Sequence, residues 1–314
     1  MGLRHRWYPE CKGNEAVCLP DTAEIGSNIK RRTEMKVLVL GATGMLGSTV
    51  TQYLVNAGYD VSVTCRHESF KLAVDWLSKL KRIPQIMTFN PVTQDIRNYP
   101  VEGFNFVINC IGIIKPAIKT VGAAATIEIN SVFPHKLAAW CYGNGVACIN
   151  ITTDCVYSGT QGGYVETDVH DADDLYGRSK SLGEETELGM TIRTSIVGEE
   201  IHNNASLIEW VKSMKGQKVN GFSKHWWNGI TTTEYAKVVD KIMAGGLFSV
   251  GLFHVFSPKD VSKYNMLKLF SDKFNLGLDV MWDNKAECDR TLRTMKDLNE
   301  KLQVLPFADQ VTEM

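Results

Sequence analysis

From Met35 onward, short apolar runs alternate with longer stretches whose apolar residues recur at helical spacing. Short strand-like runs stand at 36–40, 60–64, 85–89, 104–110, 147–152 and 190–194, with Val37-Leu38-Val39-Leu40 and Phe106-Val107-Ile108 apolar throughout. Strands buried on both sides of a parallel sheet have that pattern. Between them, helical spacing predicts helices over about 45–57, 68–80, 94–98, 123–142 and 175–187. The fourth is expected to be interrupted, or to begin afresh, near Pro134, because proline has no N–H to donate. Repeated βα alternation predicts an α/β fold built on a doubly wound parallel sheet.

The first strand runs into Gly41-Ala42-Thr43-Gly44-Met45-Leu46-Gly47. A buried strand, a tight glycine turn and a helix start form the phosphate-binding element of a dinucleotide (Rossmann) fold. The first glycine allows the turn, the second lets backbone approach the pyrophosphate, and the third lets helix and strand pack closely. Amides at the helix start, with the positive end of its dipole, attract the anion. Gly41, Thr43, Gly44, Met45, Leu46 and Gly47 are therefore the expected pyrophosphate contacts.

Beyond Gly198 the alternation weakens. Helices are expected over 206–215, 232–244, 263–274 and 295–302, and a strand over 251–256. The expected organisation is a dinucleotide domain over 35–197 with returning segments near 228–256. A smaller C-terminal substrate lobe would comprise 198–227 and 257–314.

Composition narrows the picture little. The 314 residues carry a formal net charge of -1, with 44% apolar and 22% charged residues. That balance calls for neither a nucleic-acid nor a membrane partner, and no apolar run approaches the roughly 18 residues of a membrane span. There is no signal-peptide pattern. The eight cysteines are scattered without CxxC or zinc spacing, which predicts no metal and a reduced, cytoplasmic chain. Residues 1–34 are polar and aperiodic, include Lys30-Arg31-Arg32, and read as an extension without a catalytic part.

The strand ends carry the candidate chemistry. Strand two ends in Cys65-Arg66-His67, where an acidic residue would hold an adenosine ribose 2′-hydroxyl. Arg66 can pair with a 2′-phosphate instead, so NADPH is expected over NADH. After strand three, Asp95 can accept the adenine amino group and Ile96 can offer its N–H; a helix-capping Asp is the alternative. Cys110, Ile111 and Gly112 close strand four with small residues that would let the nicotinamide ribose lie against backbone. Asn130, on the next helix, could bind backbone near the catalytic groups. Tyr176 and Lys180, in Tyr176-Gly177-Arg178-Ser179-Lys180, share one helix face. An ammonium near the phenol would lower the tyrosine pKa from its ordinary value of about 10. Tyr176 could then give a proton to a carbonyl oxygen, with Lys180 reaching the nicotinamide ribose. Thr153, ending strand five, could hydrogen-bond the same oxygen. In the lobe, Arg290 suits a diphosphate, and Trp226 or Trp227 suits a base or sugar. His202, Asn203 and Lys224 are candidates for the pocket rim.

From Met35 the chain resembles the extended short-chain dehydrogenase/reductases, within them the dTDP-4-dehydrorhamnose reductase (RmlD-like) group. The glycine turn carries the resemblance, with Ile151-Thr152-Thr153-Asp154-Cys155-Val156-Tyr157-Ser158-Gly159, Tyr164–Asp168, Tyr176–Glu184 and Ile192-Arg193-Thr194-Ser195. It implies catalytic Thr153, Tyr176 and Lys180, NAD(P)H, and a nucleotide-linked 4-keto-6-deoxy sugar as substrate. A homodimer through two sheet-flanking helices is also implied. Cys155 stands where the group usually has Tyr, and Asp171–Asp174 where it often has Pro, which leaves the sugar and nucleotide open. Two alternatives stand beside it. One is an epimerase or dehydratase of the same superfamily, although no Asp-Glu pair follows Thr153. The other is a non-catalytic dinucleotide-binding subunit similar to the regulatory subunit of methionine adenosyltransferase.

Overall fold

Seven parallel strands make the central sheet of the computed structural model, which describes residues 32–202 and 205–314. Five come from the first half of the chain: β1 (Lys36–Leu40), β2 (Asp60–Cys65), β3 (Gln85–Thr88), β4 (Phe106–Asn109) and β5 (Ala147–Thr153). Then come β6 (Met190–Thr194), the short β7 (Ile196–Val197), β8 (Lys218–Trp227), β9 (Ile230–Thr231), β10 (Gly251–His254), β11 (Val261–Ser262) and β12 (Asp279–Asp289). The sheet order is β10-β6-β5-β4-β1-β2-β3. Chain direction away from β1 reverses between β1 and β4, the switch point where doubly wound sheets open a crevice at their carboxyl ends.

The period of two explains why β1 is apolar from Val37 to Leu40. Val37 and Val39 pack into one core with Leu46, Val50 and Leu54 of the helix Met45–Asn56 and Tyr235 and Val239 of the helix Thr232–Ala244. Leu38 and Leu40 point the other way, into a second core with Phe133 and Leu137 of the helix Phe133–Gly143. Of the two forms expected near Pro134, the helix takes the second and begins afresh. A π-helical segment, Glu128–Val132, widens the helix just before it, and Pro134 falls in the first turn of the next segment, where its missing N–H costs nothing. The helix expected to reach residue 187 ends at Leu182, and the Glu185 carboxylate accepts from the Glu187 and Leu188 amides to make a turn.

The 251–256 segment returns to the sheet, β10 pairing in parallel with β6. Beyond the sheet, β8 is the middle of a three-stranded sheet between β11 and β12, backed by the helix Lys263–Lys273 around Trp227, Phe270 and Phe307. The expected 1–34 extension lies outside the described residues up to residue 31. Arg32 is already docked, its guanidinium on the Asp240 carboxylate at 3.0 Å. Among the described residues, no helix is long and apolar enough to cross a membrane, and all six cysteines are free.

Candidate active site

At the turn after β1, Gly41 has φ +81° and donates its N–H to the Thr64 hydroxyl at 3.2 Å, tying the turn to β2. A Cβ on Gly47 would lie 2.2 Å from the Gly41 carbonyl oxygen, so only glycine permits this approach of helix to turn. Gly44 caps the helix and no side chain closes its first turn; its own N–H donates to the Gly41 carbonyl at 3.0 Å, which leaves the Met45 and Leu46 amides for an anion. The residues fit a dinucleotide pyrophosphate.

Two sequence candidates border the far end of this groove. Arg66 projects from the end of β2, with Glu68 as its ion-pair partner at 3.3 Å and both side chains more than half exposed. Asp95 and Ile96 border a cavity of about 250 Å³ that also reaches Phe133 and Lys136. The Asp95 carboxylate caps the short turn Ile96–Asn98 and holds the Arg97 guanidinium, whose hydrogen bonds drop its pKa to about 2. The capping alternative for Asp95 is thus present. Asn203 lies outside the described residues. His202, expected on the substrate side, lies instead within electrostatic reach of Arg66; burial, more than that cation, lowers its pKa.

Cys110 and Ile111 abut Gly41, and Gly112 lies between Asn130 and Lys180, each with a polar atom 3.7 Å from where a Cβ would sit. The Asn130 amide clamps Ile113, accepting its N–H at 2.8 Å and donating to its carbonyl at 2.9 Å. A third bond reaches Ser179, on the helix of Tyr176 and Lys180. Asn130 is therefore a satisfied amide that ties the loop after β4 to that helix.

The helix Leu175–Leu182 is capped by Asp174, whose carboxylate accepts from Gly177 N at 2.8 Å and pairs with Lys115 at 2.5 Å. Gly177 is where this helix meets the turn after β5: a Cβ there would lie 2.3 Å from the Cys155 carbonyl oxygen. That approach brings Thr153 close enough to the Tyr176 phenol to pull its pKa down. Thr153 also donates to Asp154 Oδ1 at 3.1 Å and accepts from Cys155 N at 3.2 Å. Lys180 is buried, and its Nζ donates to the Ile151 carbonyl at 2.9 Å. Burial lowers its pKa to about 8, opposed by Glu184.

One expectation is corrected. Lys180 is not what sets the Tyr176 pKa. Burial, followed by the neighbouring Cys155, pushes the phenol up, while Thr153 pulls the other way. The lysine is directed at a backbone carbonyl instead. The phenol is therefore fully protonated in the free protein, the form a proton donor needs.

Beneath the triad lies a group whose role sequence reasoning missed. Arg193, fully buried in β6, binds both Glu184 oxygens, at 2.9 and 2.5 Å, and the Tyr157 hydroxyl at 2.5 Å. It also reaches Nε2 of His254 at 2.7 Å and of His170 at 2.6 Å. Arginine can only donate, so both imidazoles accept at Nε2 and are neutral. His170 Nδ1 then donates to Ser181 on the catalytic helix at 2.6 Å. One guanidinium thus ties the helix of Tyr176 and Lys180 to the segment that follows Thr153. An arginine inside a strand expected to be buried in the sheet was the available signal.

The substrate-lobe candidates divide. Trp227 is a core residue, 5% exposed and edge-on to Phe307 with ring centroids 4.9 Å apart, so it cannot stack on a base; its neighbour Trp226 is 42% exposed. Arg290 reaches the site but is turned onto backbone, donating to the Tyr157 carbonyl at 2.8 Å and the Ser158 carbonyl at 3.0 Å. Lys224 pairs with Glu287 at 3.4 Å on the exposed side of β8.

The sequence profile of the RmlD substrate binding domain matches residues 35–281. The chain is 23% identical over 240 residues to a dTDP-4-keto-6-deoxy-D-glucose reductase of Streptomyces niveus, a match covering 74% of this chain and 76% of that one. It is also 23% identical over 256 residues to methionine adenosyltransferase 2 subunit beta of Rattus norvegicus, covering 77% of this chain and 72% of that one. Among solved structures, the fold is similar to a dTDP-4-dehydrorhamnose reductase of Bacillus anthracis in complex with NADP. That likeness has TM-score 0.65 and 18% identity, over 89% of this chain and 98% of the other.

Proposed function

The chain belongs to the RmlD substrate binding domain family, and from that premise we propose that it is an NADPH-dependent reductase of a nucleotide-linked 4-keto-6-deoxy sugar. The observation that carries this reading is the convergence of Thr153, Tyr176 and Lys180 at the carboxyl ends of β4 and β5, with Gly112 leading from the glycine turn to Lys180. A reduced nicotinamide dinucleotide, when bound, supplies the hydride. Gly41 to Gly47 would hold its pyrophosphate, Arg66 its 2′-phosphate, Asp95 and Ile96 its adenine, and Cys110 to Gly112 with Lys180 its nicotinamide ribose.

The protein's own groups do the remaining work. Thr153 hydrogen-bonds the substrate carbonyl oxygen and orients it. Tyr176 gives that oxygen its proton. Its raised pKa keeps the phenol protonated at neutral pH, the form from which a general acid acts. Lys180, fixed to β5 by the Ile151 carbonyl, would hold the nicotinamide ribose. The free cysteines fit a reducing, cytoplasmic setting.

Turnover of NADPH with dTDP-, UDP- and GDP-linked 4-keto-6-deoxy sugars tests the proposal. Tyr176→Phe should lower kcat by at least about 10²-fold, the general-acid contribution, with NADPH affinity unchanged. Near-normal turnover in that variant rejects the mechanism. The likeness to methionine adenosyltransferase subunits favours a second reading, a regulatory dinucleotide-binding subunit. A stoichiometric protein partner, with no NADPH oxidation on any of those sugars, would establish it instead.

A further inference from the structure

The helix that carries Tyr176 and Lys180, Leu175–Leu182, is only eight residues long. A helix of two turns does not hold itself in water, so the side chains around it set where it lies. One flank is held from the helix before β5. Asn130 donates to the Ser179 hydroxyl at 3.2 Å, Ser131 donates to the Ser179 carbonyl at 2.8 Å, and His135 meets the Leu182 carbonyl at 2.8 Å. Ser181 lies about 200° around the helix from Ser179. On that other flank His170 donates from Nδ1 to the Ser181 hydroxyl at 2.6 Å.

Packing alone does not aim this imidazole. A cavity of about 250 Å³, lined by Val156, Ala172, Arg178 and Leu182, opens beside His170 and Ser181. The His170 side chain is 25% exposed. Its aromatic neighbour is Tyr157, edge-on with ring centroids 5.5 Å apart. The ring is oriented by Arg193, which donates to Nε2 at 2.6 Å and is itself held by Glu184 at 2.5 Å. With Nε2 committed as an acceptor, the proton of the neutral ring sits on Nδ1, facing Ser181. Burial lowers the His170 pKa against the pull of Glu184, which favours that neutral form.

We propose that His170 is a positioning residue for the reaction. Through Ser181 it fixes the last turn of the helix, and with it the placement of Lys180, one residue away, and of Tyr176. A misplacement of about 1 Å at a reacting group can cost about 10²-fold in rate. The chemistry served is that of the reductase reading; the restraint on the helix is independent of it.

The test combines hydrogen exchange of the Leu175–Leu182 amides with steady-state kinetics on NADPH and a keto sugar. His170→Asn puts an amide N–H near the Nδ1 position and keeps the bond to Ser181. His170→Gln puts an acceptor near the Nε2 position and keeps only the bond from Arg193. His170→Ala keeps neither, and Ser181→Ala removes the acceptor. In His170→Ala, His170→Gln and Ser181→Ala the helix should exchange faster and kcat should fall about ten- to hundredfold, with both KM values unchanged. His170→Asn should restore wild-type exchange and turnover. Combining His170→Ala with Ser181→Ala should be no worse than either alone, because both break one bond. Equal losses in His170→Asn and His170→Gln overturn the proposal. So do exchange or kcat unchanged in His170→Ala, and additive losses in the double variant. If His170→Ala does not fold, His170→Asn and His170→Gln carry the comparison. Failure of both to fold makes the histidine structural and overturns the proposal as well. A protein that shows the expected exchange pattern yet oxidises NADPH on no keto sugar defeats the reductase reading and leaves the restraint standing.

Discussion

The Lys180 ammonium donates to the Ile151 carbonyl at 2.9 Å, from a buried position under the phenol it was expected to ionise. The bond fixes the lysine to β5, the strand that also carries Thr153. Lys180 and Thr153 therefore hold their positions relative to each other through the same strand, and the helix that carries Lys180 also carries Tyr176.

That burial has a consequence for pH. With its pKa lowered to about 8, Lys180 loses its proton just above neutrality, where an exposed lysine would keep it. The kcat/KM profile, which reports the free enzyme, should fall on the alkaline side with a midpoint near 8. In Lys180→Arg, whose side chain stays charged, that limb should move to higher pH on a lower plateau. A limb at unchanged pH in the variant would assign it to another group.

The two glycines of the turn should separate by variant. A Cβ at Gly47 meets the Gly41 carbonyl at 2.2 Å, whereas at Gly44 the nearest atom is at 3.4 Å. Gly47→Ala should destabilise the free protein by about 1–3 kcal/mol, the usual range for overpacking. Gly44→Ala should melt like wild type and lose only dinucleotide affinity. Denaturant melts with and without NADPH measure both.

Arg66 offers a cofactor test. Its ion pair with Glu68 is exposed and holds it weakly. Arg66→Ala should lower kcat/KM for NADPH by about tenfold or more, the scale of one charge-assisted contact, and leave NADH unaffected. Equal effects on both cofactors would remove the arginine from 2′-phosphate recognition.

The Arg193 network predicts acid sensitivity. Burial, reinforced by Arg193, lowers the His254 pKa to about 4, against about 6.5 in an unfolded chain. A histidine depressed on folding binds fewer protons in the native state, so its contribution is intact above about pH 6.5 and lost as pH falls towards 4. Thermal stability should decline across that window. His254→Gln, which keeps an acceptor for Arg193 but cannot titrate, should flatten the decline. Arg193→Met should cost about 3–5 kcal/mol, as breaking a buried pair does, because Glu184 is left buried without its cation.

Much of this protein is written locally. Strand-like runs, helical spacing and the glycine turn specify β1 to β6 to within a residue or two and the intervening helices more loosely. Each depends only on the chain's own periods and turn chemistry. The Tyr176–Lys180 spacing and Thr153 at a strand end are legible for the same reason. The strands β8 and β12 are not. The inward positions of β8 include Gly221 and Ser223, too small and polar to mark a buried face. β12 is a largely exposed edge with a register shift between Asp283 and Glu287.

Which chemistry each candidate performs was decided by contacts between distant parts of the chain. Trp227 and Trp226 are indistinguishable by composition, and packing against Phe307 buries one and leaves the other out. Arg290 reads as a free cation until the turn after β5 supplies two carbonyls for it. His170 carries no local signal at all, yet tertiary packing sets its imidazole between the Arg193 guanidinium and the Ser181 hydroxyl. Periodicity and turn geometry act over a few residues, whereas desolvation and charge pairing depend on which segments, often more than a hundred positions apart, enclose a side chain. The sequence by itself determined the scaffold and the position of the triad along it; the folded packing determined the protonation states and the hold on the catalytic helix.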